Sequence, residues 1–329
     1  MKQNNQTQPN SKTNWLSWLN RFAPLLGVTV VYLFFVLIGP DTFSSAKNLE
    51  TIARQSTIVG MAALGMTMVI ILGGIDLSAG SVIAISTVVI AALLQANIPP
   101  IFAAIGGVLA GMACGLTNGF LITRLRLVPF IVTLGTLLVV RGAAKGLAHE
   151  QKIDAPLTWL NNLIAALGPD QRFMLAPPGV WLLVILALLV GVLLHFTRLG
   201  RHIFAIGSNE LTARLCGVNI NRVKMTVYML CSAFAGLAGV LQFSRLTVGD
   251  PTVAIGLELD VIAAVVIGGG SLSGGEGSVI GSLAGAIIMT LIRAGCSQMG
   301  LPNWVQEIVT GAIIVTAVTL DRLRHRRQQ

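Results

Sequence analysis

One carboxylate, Asp76, stands inside an apolar, glycine-flanked run, Val69-Ile-Ile-Leu-Gly-Gly-Ile-Asp-Leu-Ser-Ala-Gly-Ser-Val-Ile83. An ionised Asp at the centre of a bilayer costs on the order of 2.5–3.5 kcal/mol, so it faces protein or water. Two roles suit it. As a charge, it lines or gates a path for a polar solute; as an acceptor, it or Ser78 caps a helix beginning near Ala79. Glu258 and Asp260 fall at the start of another apolar helix. His149, His195, His202 and His325 are scattered, and Cys114, Cys216, Cys231 and Cys296 lack the spacing of a metal or disulfide framework. No nucleophile, base and acid stand together. No Gly-Lys dipeptide exists to make a phosphate loop, and the glycine-rich run 268–277 fails the nucleotide patterns. The expectation is no catalysis, no metal and no cofactor in this chain, with any ATP bound by a partner.

Whatever positions these residues is built of membrane helices. The chain has 54% hydrophobic and 11% charged residues and a mean hydropathy of +0.80, against roughly 25% charge in soluble domains. Such a composition predicts an all-α polytopic integral membrane protein. Apolar stretches long enough to cross fall at 22–39, 52–73, 80–95, 99–123, 128–148, 179–197, 225–246, 259–272, 278–297 and 303–320. About ten transmembrane helices are expected, eight to ten if the short third and eighth stretches are re-entrant. Gly73, Gly74, Leu77, Ser78 and Gly80 recur 195 residues later as Gly268, Gly269, Leu272, Ser273 and Gly275, with Ser271 in place of Asp76. Glycine-broken segments at matching places in two halves are a weak internal repeat that points to a transport pathway. Gly107, Gly111, Gly115 and Gly119, and likewise Gly277, Gly281 and Gly285, recur every fourth residue and predict close helix packing.

The net charge of +9 is placed by topology and not by nucleic acid, because Lys and Arg cluster in short segments beside the spans. The loop 198–224 and the tail 321–329 are rich in Arg and belong inside the cell, with Arg124 and Arg126. That orientation predicts a cytoplasmic tail at 1–21, a single transmembrane domain at 22–320, and a basic cytoplasmic tail at 321–329. Leu25 to Ile38 reads as an uncleaved first helix. Lys47 and Arg54 fall near the outer face against the rule. The loop 149–178, with its prolines and an amphipathic piece from Leu157 to Leu167, lies outside as a connector or a binding element. On the inner side, Ile206–Val218 spells a short helix, with Ser208 as N-cap, Glu210 in the first turn and Gly217 as its stop. Glu210 and Arg214 are spaced to pair, and Leu211 and Leu215 share a face.

Three blocks together resemble a known family. Gly74-Ile-Asp-Leu-Ser-Ala-Gly80, Thr197-Arg-Leu-Gly-Arg-His-Ile-Phe-Ala-Ile-Gly-Ser-Asn-Glu210 continuing to Ala213-Arg-Leu-Cys-Gly217, and Gly256-Leu-Glu-Leu-Asp-Val-Ile-Ala-Ala264 are similar to the permease subunits of bacterial ABC importers for monosaccharides. Ribose, arabinose and xylose permeases share the pattern, the ribose permease most. The resemblance implies an inner-membrane protein working as a pair of permease subunits, two ABC ATPase subunits beneath and a periplasmic sugar-binding protein above. It also implies that Gly207, Asn209, Glu210, Ala213, Arg214 and Gly217 match the loop that couples to the ATPase. Asp76, Leu77, Ser78, Glu258 and Asp260 match motifs near the substrate path or gate. Ala79 departs from relatives that often carry Val. Two other readings stay open: an ion-coupled secondary transporter, and an ABC permease for branched-chain amino acids in which Arg141 or Arg293 meets an anionic group.

Overall fold

A computed structural model describes residues 12–168 and 174–326. The expected inner tails therefore lie partly outside the described residues, as do Pro169, Asp170 and Arg172 of the outer loop. The described chain is helical almost throughout: α1 Lys12–Ile38, α2 Ala46–Ile71, α3 Ala79–Gln95, α4 Pro100–Arg124, α5 Pro129–Leu147 and α6 Pro178–Phe196, then the short α7 Arg198–Ser208 and α8 Glu210–Leu215. After these come α9 Ile220–Leu246, α10 Leu257–Ile267, α11 Val279–Gln298 and α12 Asn303–Arg326.

Each of the ten predicted spans overlaps a helix. Six helices, α2, α4, α5, α6, α9 and α11, are long and apolar enough to cross a membrane. The two short stretches behave differently. The third is the apolar 17-residue α3, whereas the eighth holds only the 11 residues of α10, roughly 16 Å of helix against a hydrocarbon core near 30 Å. Irregular chain borders α10 on both sides, so it is a discontinuous helix; irregular backbone at membrane depth survives only where protein or water covers it.

Packing follows the glycines. The α4 stripe lies against α9, where a side chain on Gly115 would meet the Tyr228 carbonyl at 2.3 Å and one on Gly119 the Met225 Cα at 2.8 Å. The expected second stripe is shorter. Gly277 precedes α11, and only Gly281 and Gly285 lie on the helix, against the backbone of Gly268 and Ala264 of α10.

The outer loop folds over the ends of α2, α3 and α9. Its residues Ile153–Asp154 (β1) pair antiparallel with Val248–Gly249 (β2). The expected helix over 157–167 is only one short 3-10 turn at Trp159–Asn162, because Thr158 and Asn161 cap it at once and Leu160 and Ile164 turn inward. Arg54, out of place by the charge rule, donates through Nε to the Ile164 carbonyl of this loop.

Candidate functional site

The two glycine breaks are built alike. Helix α2 ends with Gly73 at φ +85°, its N–H bonded to the Ile70 carbonyl and that of Gly74 to Val69; α10 ends with Gly269 at φ +90°, bonded to Val266, and Gly270 to Val265. Both are helix stops that need a left-handed residue, which glycine supplies without steric cost. The structural match is one residue out of step with the sequence repeat at the glycines and in step at the polar residue that follows. Asp76 Oδ1 accepts from the Ser78 N–H at 2.9 Å, and Ser271 Oγ accepts from the Ser273 N–H at 3.2 Å. Asp76 thus closes the turn that leads into α3, but neither it nor Ser78 caps the helix as expected: Ser78 is the N-cap residue, and α3 carries no side-chain cap bond. In the second half the outcome differs. Ser271 forms the turn, but four more residues intervene and Ser278 caps α11 by accepting from Gly281 N–H.

Asp76 is fully buried. The Ser78 hydroxyl donates to its Oδ1 at 2.5 Å, and Asn118 Nδ2 donates to that hydroxyl at 3.0 Å. Cys231 and Ser232, the twelfth and thirteenth of the 27 residues of α9, flank the carboxylate, which therefore sits near the middle of that helix. Among the described residues, four buried oxygens in this neighbourhood, Asp76 Oδ2, Asn118 Oδ1, Tyr228 Oη and Ser232 Oγ, make no hydrogen bond of good geometry. Thr133 Oγ1 completes the cradle by donating to the Ile75 carbonyl, and Leu77 packs into the core. Asn118 escaped the sequence reading, though a lone amide between Gly115 and Gly119 on an apolar stripe was a usable signal.

Glu258 and Asp260 part company. Glu258 lies over the first turn of α3, where a side chain on Gly80 would meet its Oε2 at 2.1 Å. Asp260, 2% exposed, pairs with Arg293 of α11 at 2.6 Å. Arg141 donates to the carbonyls of Pro251 and Val253, bracing the irregular stretch before α10. Neither arginine is free for an anionic solute in the way the amino-acid alternative needs. In the segment joining α9 to α10, burial raises the Asp250 carboxyl, but hydrogen bonds from the Thr252 hydroxyl and N–H and from Lys152 outweigh it and hold Asp250 below its usual range.

The inner loop forms the expected helix, shortened by one correction. Asn209, rather than Ser208, is the N-cap of α8, its Oδ1 accepting from Thr212 N–H at 2.9 Å, because α7 runs on through Ser208. Gly217 at φ +82° ends α8 as expected. Glu210 pairs with Arg214 at 3.1 Å and, beyond the expectation, with Lys224 of α9 at 2.7 Å. The Lys224 hydrogen bond, joined by the charges of Lys224 and Arg214 and opposed by burial, holds the Glu210 carboxyl below its usual range. Leu211 and Leu215 are 74% and 88% exposed, an apolar face with nothing on it, while Ala213 is buried. Gly207 looks the other way: a side chain there would strike the Ile71 carbonyl at 1.8 Å and the Gly275 amide at 2.6 Å. It joins α7 to both glycine breaks, where Gly275 N–H also donates to the Ile71 carbonyl.

Among the described residues, no three His, Cys, Asp or Glu side chains gather as a metal site. The arrangement offers a buried polar node, two helix breaks and an exposed, clamped helix.

Comparison with known proteins shows the family of the chain. Residues 48–318 match a family model described as branched-chain amino acid transport system / permease component. The chain is 35% identical to the ribose import permease protein of Escherichia coli strain K12 over 305 residues, which is 93% of this chain and 94% of the relative. It is 36% identical to the ribose import permease protein of Bacillus subtilis strain 168, over 92% of this chain and 93% of the relative. An L-arabinose ABC transporter permease protein of Azospirillum brasilense is 34% identical, over 94% and 90%.

Proposed function

This chain belongs to the family of branched-chain amino acid transport system permease components, and we propose that it is the membrane subunit of a bacterial ABC importer that carries ribose across the inner membrane. The observation that carries the substrate is identity above a third, along more than nine-tenths of both chains, with permeases named for ribose. The family description also names branched-chain amino acids; the engagement of Arg141 and Arg293 with protein partners weighs against that cargo.

In this reading, two permease copies enclose the path. An ATPase subunit docks on α8 through Leu211 and Leu215, and a periplasmic sugar-binding protein delivers ribose to the opposite face. Both termini lie in the cytoplasm, and ten helices cross or enter the bilayer. Closure of the ATPases pushes α8, and Gly207 passes the push to the two glycine breaks beside Asp76. No bond is made or broken by this chain. Asp76, Leu77, Ser78 and Glu258 act as the hinge around which the path changes access, and Asp260 stands on its outer side.

The permease, reconstituted with its ATPase and sugar-binding protein, is expected to accumulate ribose in vesicles only when ATP is present. Uptake by the permease alone, or uptake of leucine in place of ribose, rejects the proposal.

A further inference from the structure

A polar groove enters the bundle from its outer end between α2 and α11. Asn48, Thr51 and Gln55 follow one another at helical spacing on α2, and Thr290, Arg293 and Ser297 do so on α11. The two stripes line adjoining cavities of about 330 and 90 Å³ that share Gln55 and Arg293. The deeper cavity is also reached by Gln242 and Arg245 of α9 and by Asp260 of α10. From Gln298 to Thr290 the groove descends about 12 Å along α11.

Rim and floor differ. At the rim the amides satisfy one another: Gln298 Nε2 donates to Asn48 Oδ1, Asn48 Nδ2 to the Phe43 carbonyl, and Gln306 Nε2 to the Leu301 carbonyl. Among the described residues, Gln55 and Gln242 at the floor make no hydrogen bond and Arg245 no ion pair, and Asp260 Oδ1 has no partner while Oδ2 holds Arg293. Uncommitted amides at this depth do not face lipid; polar side chains there turn to a water-filled path or to protein. Each amide presents both a donor and an acceptor, as each sugar hydroxyl does. Because Asp260 and Arg293 neutralise each other, Arg245 is left as the one unpaired charge at the floor, which therefore lacks the free charge of each sign that a zwitterion needs and offers a polyhydroxyl neutral amides and a cationic donor.

We propose that the floor of this groove is an outer subsite for the sugar in transit, with Gln55 and Gln242 as its hydroxyl-binding amides. The assignment rests on the importer reading above. The two amide contacts are few and neutral, so the sugar is held weakly and passes on, with tight recognition left to the binding protein.

The test is ribose uptake by the complete transporter in vesicles, fed by ribose-loaded binding protein, for Gln55→Leu, Gln242→Leu and the double variant. Arg293 is left intact because its loss strands the buried Asp260. Each single change is expected to lower uptake about three- to tenfold, the worth of one neutral hydrogen bond, and the double change further. ATP hydrolysis stimulated by the binding protein and the yield in the membrane are expected to stay normal, with Gln306→Leu at the rim near wild type. Uptake by the double variant within twofold of wild type overturns the subsite and leaves the importer reading standing, whereas a wild-type complex that imports no ribose overturns that reading. Should the leucine variants fail to fold, Gln55→Cys in a chain without its native cysteines provides the second measurement. Labelling from outside by a membrane-impermeant thiol reagent, slowed by loaded binding protein and ATP, supports the groove, and absence of labelling overturns it.

Discussion

Asp76 offers two oxygens and uses one. Oδ1 takes the N–H and hydroxyl of Ser78, while Oδ2, among the described residues, makes no hydrogen bond of good geometry although the Cys231 thiol and Ser232 hydroxyl stand beside the carboxylate. An Asn at this position keeps the accepting oxygen and adds N–H donors toward the unpartnered Asn118, Tyr228 and Ser232 oxygens. A carboxylate retained only to close this turn therefore predicts that Asp76→Asn leaves ribose uptake near wild type and does not lower the unfolding temperature in detergent. Asp76→Ala removes the acceptor of the Ser78 N–H and is expected to cost about 1 kcal/mol of stability, the worth of a typical hydrogen bond. Normal expression of Asp76→Asn with uptake lost shows that the charge itself works in transport, a role the turn does not contain.

Helix α8 has six residues, too few to hold itself together in water, so its order must come from its ends and its clamp. Asn209 closes one end and Gly217 the other; the Gly217 stop was legible because it is local chemistry, whereas the cap was read one residue early, at Ser208, because nothing local shows that α7 runs on through it. Lys224 was not legible as a partner of Glu210. It lies fourteen residues away on another helix, and only the return of the chain brings it back at 2.7 Å. The same limit explains the rest of the reading. The α4 stripe was visible as a repeat, but not that α9 fills it; the carboxylates at 258 and 260 were visible, but not that one covers Gly80 while its near neighbour meets Arg293. If the clamp makes α8 a rigid lever, Lys224→Met should leave the ATPase bound yet reduce the uptake obtained per ATP hydrolysed several-fold. The pH dependence has a definite sign. The Glu210 pKa is lowered on folding, so its contribution is complete above the ordinary glutamate value and is lost as pH falls through the lower folded value. Coupling in the wild type should not weaken between pH 7 and pH 5 on account of this pair; a decline there that Glu210→Gln abolishes contradicts the assignment.

At the scale of the whole molecule, the positive-inside pattern and the fold place the same elements together. The basic turn between α4 and α5, with Arg126, meets Arg214 and Lys224 around one cavity of about 480 Å³, so the segments assigned to the cytoplasm by charge alone share one end of the bundle. The irregular stretch at 250–256, which begins with Asp250, enters from the other end, braced by Lys152 and Arg141. Cysteine exposure turns this polarity into a measurement. Cys231 and Cys296 are buried and Cys114 is partly covered, while Cys216, at the C-cap of α8, is exposed. A bulky, membrane-impermeant maleimide should label Cys216 in inverted vesicles and not in intact spheroplasts, and Cys216→Ser should remove the signal. Adding the ATPase subunit should slow that labelling, because a partner seated on Leu211 and Leu215 covers the adjacent thiol. Labelling from the outer face reverses the orientation of the bundle, and with it the assignment of α8 to the ATPase; labelling from inside that the ATPase leaves unchanged keeps the orientation and moves the dock elsewhere.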